Sequence, residues 1–135
     1  MPTPPLPDDL RELLGKANPA VIATLRDDGQ PVTVPTWYLL DGDRIFVDMD
    51  ATRKRVEHLR HDSRVSLSVL DESDWYTHVS VLGRIVDMRD DEGLDGIDRL
   101  STHYTGQPYP DRDSARVDAW IEIERYHGWG AAKTS

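Results

Sequence analysis

Three consecutive cations, Arg53, Lys54 and Arg55, stand out in a 135-residue chain whose formal net charge is −9. They follow an apolar run typical of a strand, and they begin a segment in which Val56 and Leu59 share one helical face. Cations at the start of a helix oppose the helix dipole. The conflict disappears when an anion binds there, because free backbone N–H groups and guanidinium groups together bind phosphate. The alternative is a solvated turn whose charges offset an acidic surface.

The composition narrows the class of protein. We expect a single domain over residues 1–135, with a Pro-rich, mobile lead-in at residues 1–6. The hydrophobic fraction is 38%, so the core is modest, and a homodimer would add buried surface and a ligand cleft. The chain has no cysteine, which excludes disulfides, thiolate chemistry and cysteine-bound zinc.

Three further classes of function are disfavoured by the sequence. The five histidines show no metal-binding pattern, so no metal site is predicted. No apolar run approaches the roughly 20 residues of a membrane span, and the first residues lack the basic and apolar regions of a signal peptide. We therefore expect a cytoplasmic protein without a membrane partner. The acidic balance disfavours nucleic acid as a partner, because such binding neutralises phosphates over a large surface.

Hydrophobic patterns predict a mainly β chain with short helices. Apolar runs and alternation indicate six strands, at residues 20–25, 31–40, 44–48, 64–70, 75–88 and 117–124. Helical spacing predicts short helices at residues 8–14, 51–62 and 90–101. Pro35 lacks a backbone donor and so marks an edge, a bulge or a ligand approach, while Gly83 predicts a bulge or bend. Strands joined by tight turns indicate a partly closed antiparallel barrel with a filled interior.

The order and spacing of several short motifs carry a resemblance to a known family. In chain order they are Ala20–Leu25, the turn at 28–31, Trp37-Tyr38, the turn at 41–43, the segment 52–65 and Gly83-Arg84. These motifs resemble the split-barrel flavin-binding family typified by pyridoxamine 5′-phosphate oxidase. They are most similar to its actinobacterial branch, which uses the deazaflavin coenzyme F420. The resemblance implies a six-stranded antiparallel split barrel that forms a homodimer with the cofactor at the interface.

The resemblance also implies where the cofactor phosphate binds. Family oxidases grip it with a Ser-Arg-Lys triplet at the start of the helix, which Thr52, Arg53 and Lys54 match here. In the deazaflavin branch, basic residues matching Arg53 and Arg55 face the phosphate side of the cofactor tail. We therefore expect these four residues to bind the anionic part of the cofactor.

The cofactor ring is expected along the second strand. The resemblance points to four consecutive residues there, Val34, Pro35, Thr36 and Trp37. Trp37 and Tyr38 are adjacent and face opposite sides of a strand, so one of them is expected in the core and the other against the cofactor. Trp129, between two glycines, is a further candidate for the ligand cleft.

Two departures from the oxidase pattern favour the deazaflavin. The oxidases carry a basic residue that faces the flavin from the second strand, whereas residues 32–40 contain none. They also end with an Arg and His pair that holds the substrate phosphate, and the tail after Trp129 offers only Lys133. Both departures weaken the case for vitamin B6 oxidation.

The resulting functional prediction is an oxidoreductase that transfers a hydride between reduced F420 and an unsaturated or conjugated small molecule. The alternatives are an FMN-dependent oxidoreductase of the pyridoxamine-phosphate-oxidase type and a non-catalytic flavin or F420 carrier. A barrel that binds single-stranded nucleic acid is disfavoured by the acidic charge balance. No catalytic acid or base is assigned, because in hydride transfer the cofactor supplies the chemistry.

Overall fold

The computed structural model describes residues 1–133. Within this range the chain forms three α-helices, α1 (Asp8–Leu14), α2 (Lys54–His61) and α3 (Asp95–Thr105). Its strands are β1 (Ala20–Leu25), β2 (Pro31–Thr36), β3 (Leu39–Asp41), β4 (Arg44–Asp50), β5 (Arg64–Asp71), β6 (Asp74–Asp90) and β7 (Arg116–Trp129). Short 3-10 turns cover Glu92–Leu94 and Gly130–Ala132.

The strands form one antiparallel sheet in the order β2-β1-β5-β6-β7-β4-β3. The two edge strands, β2 and β3, are consecutive in the chain, and the sheet does not close between them. This arrangement confirms the predicted mainly β, split-barrel fold with short helices. Pro35 lies in the edge strand β2, where a missing backbone donor breaks no central ladder.

The second predicted strand, at residues 31–40, is divided in the structure, so the sheet has seven strands where six were predicted. β2 ends at Thr36 and β3 begins at Leu39. Between them the backbone N–H of Tyr38 donates to the Tyr104 hydroxyl (3.3 Å), a side chain on α3. The chain leaves the sheet here because its donor is taken by a helix, and Tyr38 itself is fully buried.

Other boundaries shift for local reasons. The basic helix, predicted from residue 51, begins at Lys54, because the Asp50 carboxylate accepts both the backbone N–H and the hydroxyl of Thr52 and Arg53 stays extended. The helix predicted at residues 90–101 is shifted to Asp95–Thr105. β7 continues to Trp129, well past the predicted residue 124. The bulge predicted at Gly83 is confirmed by a register shift between Leu82 and Gly83.

The main core fills the concave side of the sheet. It combines alternate side chains of the central strands with buried leucines of α1 and with Val56 and Leu59 of α2. The lead-in, for which the sequence predicts mobility, contributes buried Leu6, and the carbonyl of Pro2 accepts the backbone N–H of Tyr126. A second cluster forms where Ile97 and Leu100 of α3 pack on Phe46. No helix within residues 1–133 is long and apolar enough to cross a membrane.

Candidate functional site

A cleft of about 610 Å³ opens where the chain leaves the sheet after β2. The residues on its walls come from the segment before β1, from β2 and the break after it, and from β4, α2, α3 and β7. They are Ala17, Pro19, Ala20, Pro35, Thr36, Trp37, Asp48, Arg55, Ile97, Leu100, Tyr104, Tyr109 and Arg116. The cleft therefore adjoins the open seam of the split barrel and has a size typical of small-molecule sites.

Aromatic rings form one wall of the cleft. Trp37 stacks on Tyr104 with ring centroids 5.2 Å apart, and Tyr109 meets Trp37 edge-on at 6.1 Å. The Tyr104 hydroxyl donates to the backbone carbonyl of Asn18 (2.7 Å). Burial raises the pKa of Tyr104 to about 12, so its hydroxyl keeps its proton. These contacts hold the rings as a fixed, mostly apolar surface suited to a planar ligand.

Arg55 supplies positive charge to the floor of the cleft. Within residues 1–133, its buried Nε and Nη1 atoms have no hydrogen-bond partner. Burial lowers the pKa of Arg55, and the nearby charges of Arg53 and Arg116 lower it further. A guanidinium nevertheless stays protonated in proteins. Its unsatisfied N–H groups therefore match an anionic ligand, because an unpaired buried donor is costly unless a partner binds to it.

Asp48 and Arg116 form a buried ion pair beside Arg55. Arg116 Nε donates to Asp48 Oδ1 (2.6 Å), with the two side chains 10% and 0% exposed. The Arg116 guanidinium also lies over the Tyr109 ring, 4.9 Å from its centroid. Arg116 Nε thus already has an acceptor, whereas Arg55 Nε and Nη1 have none within residues 1–133.

Asp48 belongs to a group of three carboxyls below the cleft. Oxygens of Asp48, Asp91 and Asp118 all lie within 4.8 Å of one another. Both Asp91 oxygens accept backbone N–H groups at the start of α3, from Gly96 (2.9 Å) and Ile97 (2.9 Å). Burial raises the pKa of Asp48, and hydrogen bonding to Asp118 and Asp91 raises it further against the opposing effect of Arg116. Burial also raises the pKa of Asp118.

The structure brings four of the nine predicted site residues together in this cleft, namely Pro35, Thr36, Trp37 and Arg55. It also separates the adjacent aromatics: Trp37 lines the cleft, whereas Tyr38 lies in the core. The Tyr38 hydroxyl donates to the carbonyl of Lys16 (3.2 Å).

The other five predicted residues lie outside the walls of the cleft. Three are at or before the start of α2: Thr52 bonds to Asp50, Arg53 is exposed, and Lys54 pairs with Glu57 at 3.7 Å. Arg53 is near enough to Arg55 for its charge to act on that group. Val34 is 38% exposed on the outer edge strand. Trp129, at the end of β7, packs against His127 with ring centroids 4.8 Å apart.

Sequence reasoning missed several residues of the site. Asp48 left a signal, because it interrupts an apolar run with a charge. Asp118 left none, because it occupies a polar position of the alternating strand at residues 117–124. Tyr104, in the last turn of α3, and Tyr109, in the loop after it, left none, since only the fold reveals where α3 packs. The same holds for Arg116, which reads as an ordinary cation at the start of a strand.

Comparisons with known proteins agree with this architecture. The fold is similar to that of an F420 reductase, with a TM-score of 0.74 and 22% identity over 90% of this chain and 98% of that one. A conserved hypothetical protein from Mycobacterium tuberculosis is similar with a TM-score of 0.70 and 24% identity, over 94% of this chain and 86% of that one. A putative pyridoxamine 5′-phosphate oxidase from Listeria innocua is similar with a TM-score of 0.69 and 16% identity, over 90% of this chain and 95% of that one.

At these identities the structural likeness concerns the fold alone. A search of curated proteins gives no match. The family model described as pyridoxamine 5′-phosphate oxidase matches residues 6–130, nearly the whole chain. The chain therefore belongs to the pyridoxamine 5′-phosphate oxidase family.

Proposed function

We propose that this protein is an F420-dependent reductase that acts on an unsaturated or conjugated small molecule. One observation carries the proposal: Arg55, which lines a cleft walled by Trp37 and Tyr104, has guanidinium N–H groups that lack a partner within residues 1–133. A planar ring system joined to an anionic tail matches both parts of this arrangement. Its ring would lie on the aromatic wall, and its phosphate would reach the start of α2.

The residues around the cleft fit such a cofactor. Pro35 and Thr36, at the end of β2, would flank the ring, while apolar Ile97 and Leu100 would exclude water from it. Arg55 would bind the phosphate from inside the cleft. Arg53 and Lys54, both exposed beside it, would meet the more distal negative charges of the tail.

Two considerations support F420 over FMN. The side chains of β2 include no cation that could face a flavin, and the tail of F420 carries more negative charge than the single phosphate of FMN. The titration described below distinguishes F420 from FMN as the bound cofactor.

A homodimer is part of the proposal. β2 is a sheet edge whose outer residues Val32 and Val34 are each 38% exposed, and β2 leads directly into the cleft. A second copy packed against β2 would cover these valines and complete the cofactor site. Small filled barrels leave no internal room for a tricyclic ring, so a wall from a partner fits the cleft's position at the seam.

Reduced F420, when bound, supplies the hydride. The chain's own contribution is to orient the cofactor, to exclude water and to position the substrate over the ring. Tyr38 is a poor proton donor, because burial raises its pKa above the usual range and its hydroxyl donates to Lys16. No side chain is assigned as acid or base.

The test is a fluorescence titration of the purified protein with F420, FMN and FAD, followed by a turnover screen with reduced F420. We expect F420 to bind most tightly. Tight FMN binding without F420 binding would replace the proposal with an FMN-dependent enzyme. Tight F420 binding with no turnover of any conjugated acceptor would favour a carrier.

A further inference from the structure

Two carboxyl groups below the cleft oppose each other with unsatisfied oxygens. Asp48 on β4 and Asp118 on β7 are direct partners in the antiparallel ladder. In residues 1–133, Asp48 Oδ2 and Asp118 Oδ1 are buried and have no donor. Two ionised carboxylates repel each other strongly in such surroundings. One proton held between them would satisfy both oxygens.

The charges around this pair come from every element packed against it. They are Asp91 before α3, Arg116 on β7, Arg55 on α2, Arg89 on β6 and Arg99 on α3. Arg89 pairs with Asp87 (2.6 Å) and Arg99 with Asp41 (3.9 Å), which leaves Arg55 and Arg116 to balance the three carboxyls. With one shared proton, these carboxyls carry two negative charges against the two cleft cations. Loss of the proton would leave three negative charges against the same two cations.

We propose that Asp48 and Asp118 hold one proton between them, and that this proton keeps the Arg55 guanidinium available for the anion of a bound ligand. Without it, the extra negative charge on the cleft floor attracts Arg55 to Asp48 and repels the ligand's anion. Asp48 and Asp118 are then positioning residues that act through Arg55. The inference uses the proposed anion site but does not depend on which cofactor occupies it.

Burial and the carboxyl neighbours support this reading, since they raise the pKa of Asp48 to about 9. A divalent cation among the three carboxylates is the competing reading. It is disfavoured because Arg116 Nε already bonds to Asp48 Oδ1 and backbone N–H groups bond to both Asp91 oxygens. A proton fits this small, cation-lined space better than a metal ion does.

The experiment compares dissociation constants at pH 7 and pH 9.5 for F420, FMN and inorganic sulfate. Sulfate keeps the same charge throughout this range. For the wild-type protein we expect anion binding to weaken about threefold at the higher pH, from a coupling of roughly tenfold between proton and anion. Asp118→Asn should abolish this dependence, because its amide donates to Asp48 without a titrating proton. Asp43→Asn, at an exposed pair with Arg11, should keep the wild-type ratio.

A second variant and a ligand-free measurement keep the test decisive. Asp48→Asn should also bind the anions with the same dissociation constant at pH 7 and pH 9.5. Infrared spectra at neutral pH should show a protonated carboxyl in the wild type but not in Asp118→Asn. An unchanged alkaline loss in both Asn variants would overturn the proposal. So would thermal stabilisation of the wild type, but not of Asp118→Asn, by Ca²⁺, Mg²⁺ or Zn²⁺. Binding of FMN or sulfate alone, with the expected pH dependence, would refute the F420 assignment and leave the shared proton standing.

Discussion

The rings of Trp37 and Tyr104 stack face to face, with centroids 5.2 Å apart and planes 13° apart. The stack joins the break between β2 and β3 to the last turns of α3. The Tyr104 hydroxyl completes this connection. It accepts a hydrogen bond from the backbone N–H of Tyr38 and donates one to the carbonyl of Asn18. One tyrosine thus connects the break after β2 to α3 and forms part of the cleft wall.

Two substitutions at Tyr104 should separate these roles. Tyr104→Phe keeps the ring but leaves the Tyr38 N–H and the Asn18 carbonyl without this partner, so we expect about 1–3 kcal/mol lower stability and nearly unchanged ligand affinity. Tyr104→Ala removes the wall as well and should weaken binding. Urea unfolding and cofactor titration on both variants provide the measurements. Equal loss of affinity in both would mean that the hydroxyl, not the ring, contacts the ligand.

The sequence predicted the sheet better than the site. Alternation in 117–124 and the proline at position 35 are local patterns, so they can be read from neighbouring residues in the sequence. The division of strand 31–40 was not predictable, because it results from a hydrogen bond between Tyr38 and a tyrosine 66 residues away. The cleft likewise joins residues from distant elements, and only β2 and the start of α2 carried recognisable motifs.

Gly96 allows α3 to approach the carboxyl group of Asp118. A Cβ at this position would overlap Asp118 Oδ1 and lie 3.0 Å from Cζ of Phe46. We expect Gly96→Ala to lower the free energy of unfolding by about 1–3 kcal/mol, the usual cost of overpacking. Gly15→Ala, whose Cβ would have its closest contact at 3.3 Å, is the matched control and should stay within about 1 kcal/mol of the wild type. Thermal and urea unfolding measure both. Equal stabilities would show that α3 can move away without cost.

Stability should fall as pH rises from about 5 towards 9. In the unfolded chain a carboxyl titrates near pH 4, whereas burial raises the pKa of folded Asp48 to about 9. Between these values the folded state holds a proton that the unfolded state has released. Each unit of rising pH therefore lowers the free energy of unfolding. Asp118→Asn should flatten the slope relative to the wild type, as measured by urea unfolding at several pH values. Asp43→Asn is the control, and identical slopes in all three proteins would contradict a raised pKa at this pair.

The proposed dimer predicts an effect of charge on β2. Val34→Asp places a charge in the apolar surface that the second copy would cover, so light scattering should show monomers where the wild type forms dimers. Cofactor affinity should fall with it. Val86→Asp, at a valine of similar exposure (44%) on β6, is the control. A wild-type monomer that binds cofactor with full affinity would disprove the shared site.

The proposed anion site predicts that substitutions at Arg55 weaken cofactor binding. Arg55→Ala removes a buried charge-assisted contact, worth about 1.5–3 kcal/mol, so cofactor affinity should fall roughly ten- to more than a hundredfold. Arg55→Lys should also bind less tightly, because a point charge cannot reproduce the bidentate fork of a guanidinium. Arg60→Ala, exposed at the other end of α2, should bind normally.

Salt and stability distinguish this reading from a purely structural role for Arg55. Arg53→Ala, at the exposed start of α2, should cost less affinity than Arg55→Ala, and its effect should shrink at high salt because solvent screens it. Arg55→Ala should leave the melting temperature unchanged or raise it, since it removes buried N–H groups that no partner satisfies within residues 1–133. A large loss of stability with normal affinity would assign Arg55 to the core. Normal affinity in the Arg53→Ala, Arg55→Ala double variant would refute the phosphate site.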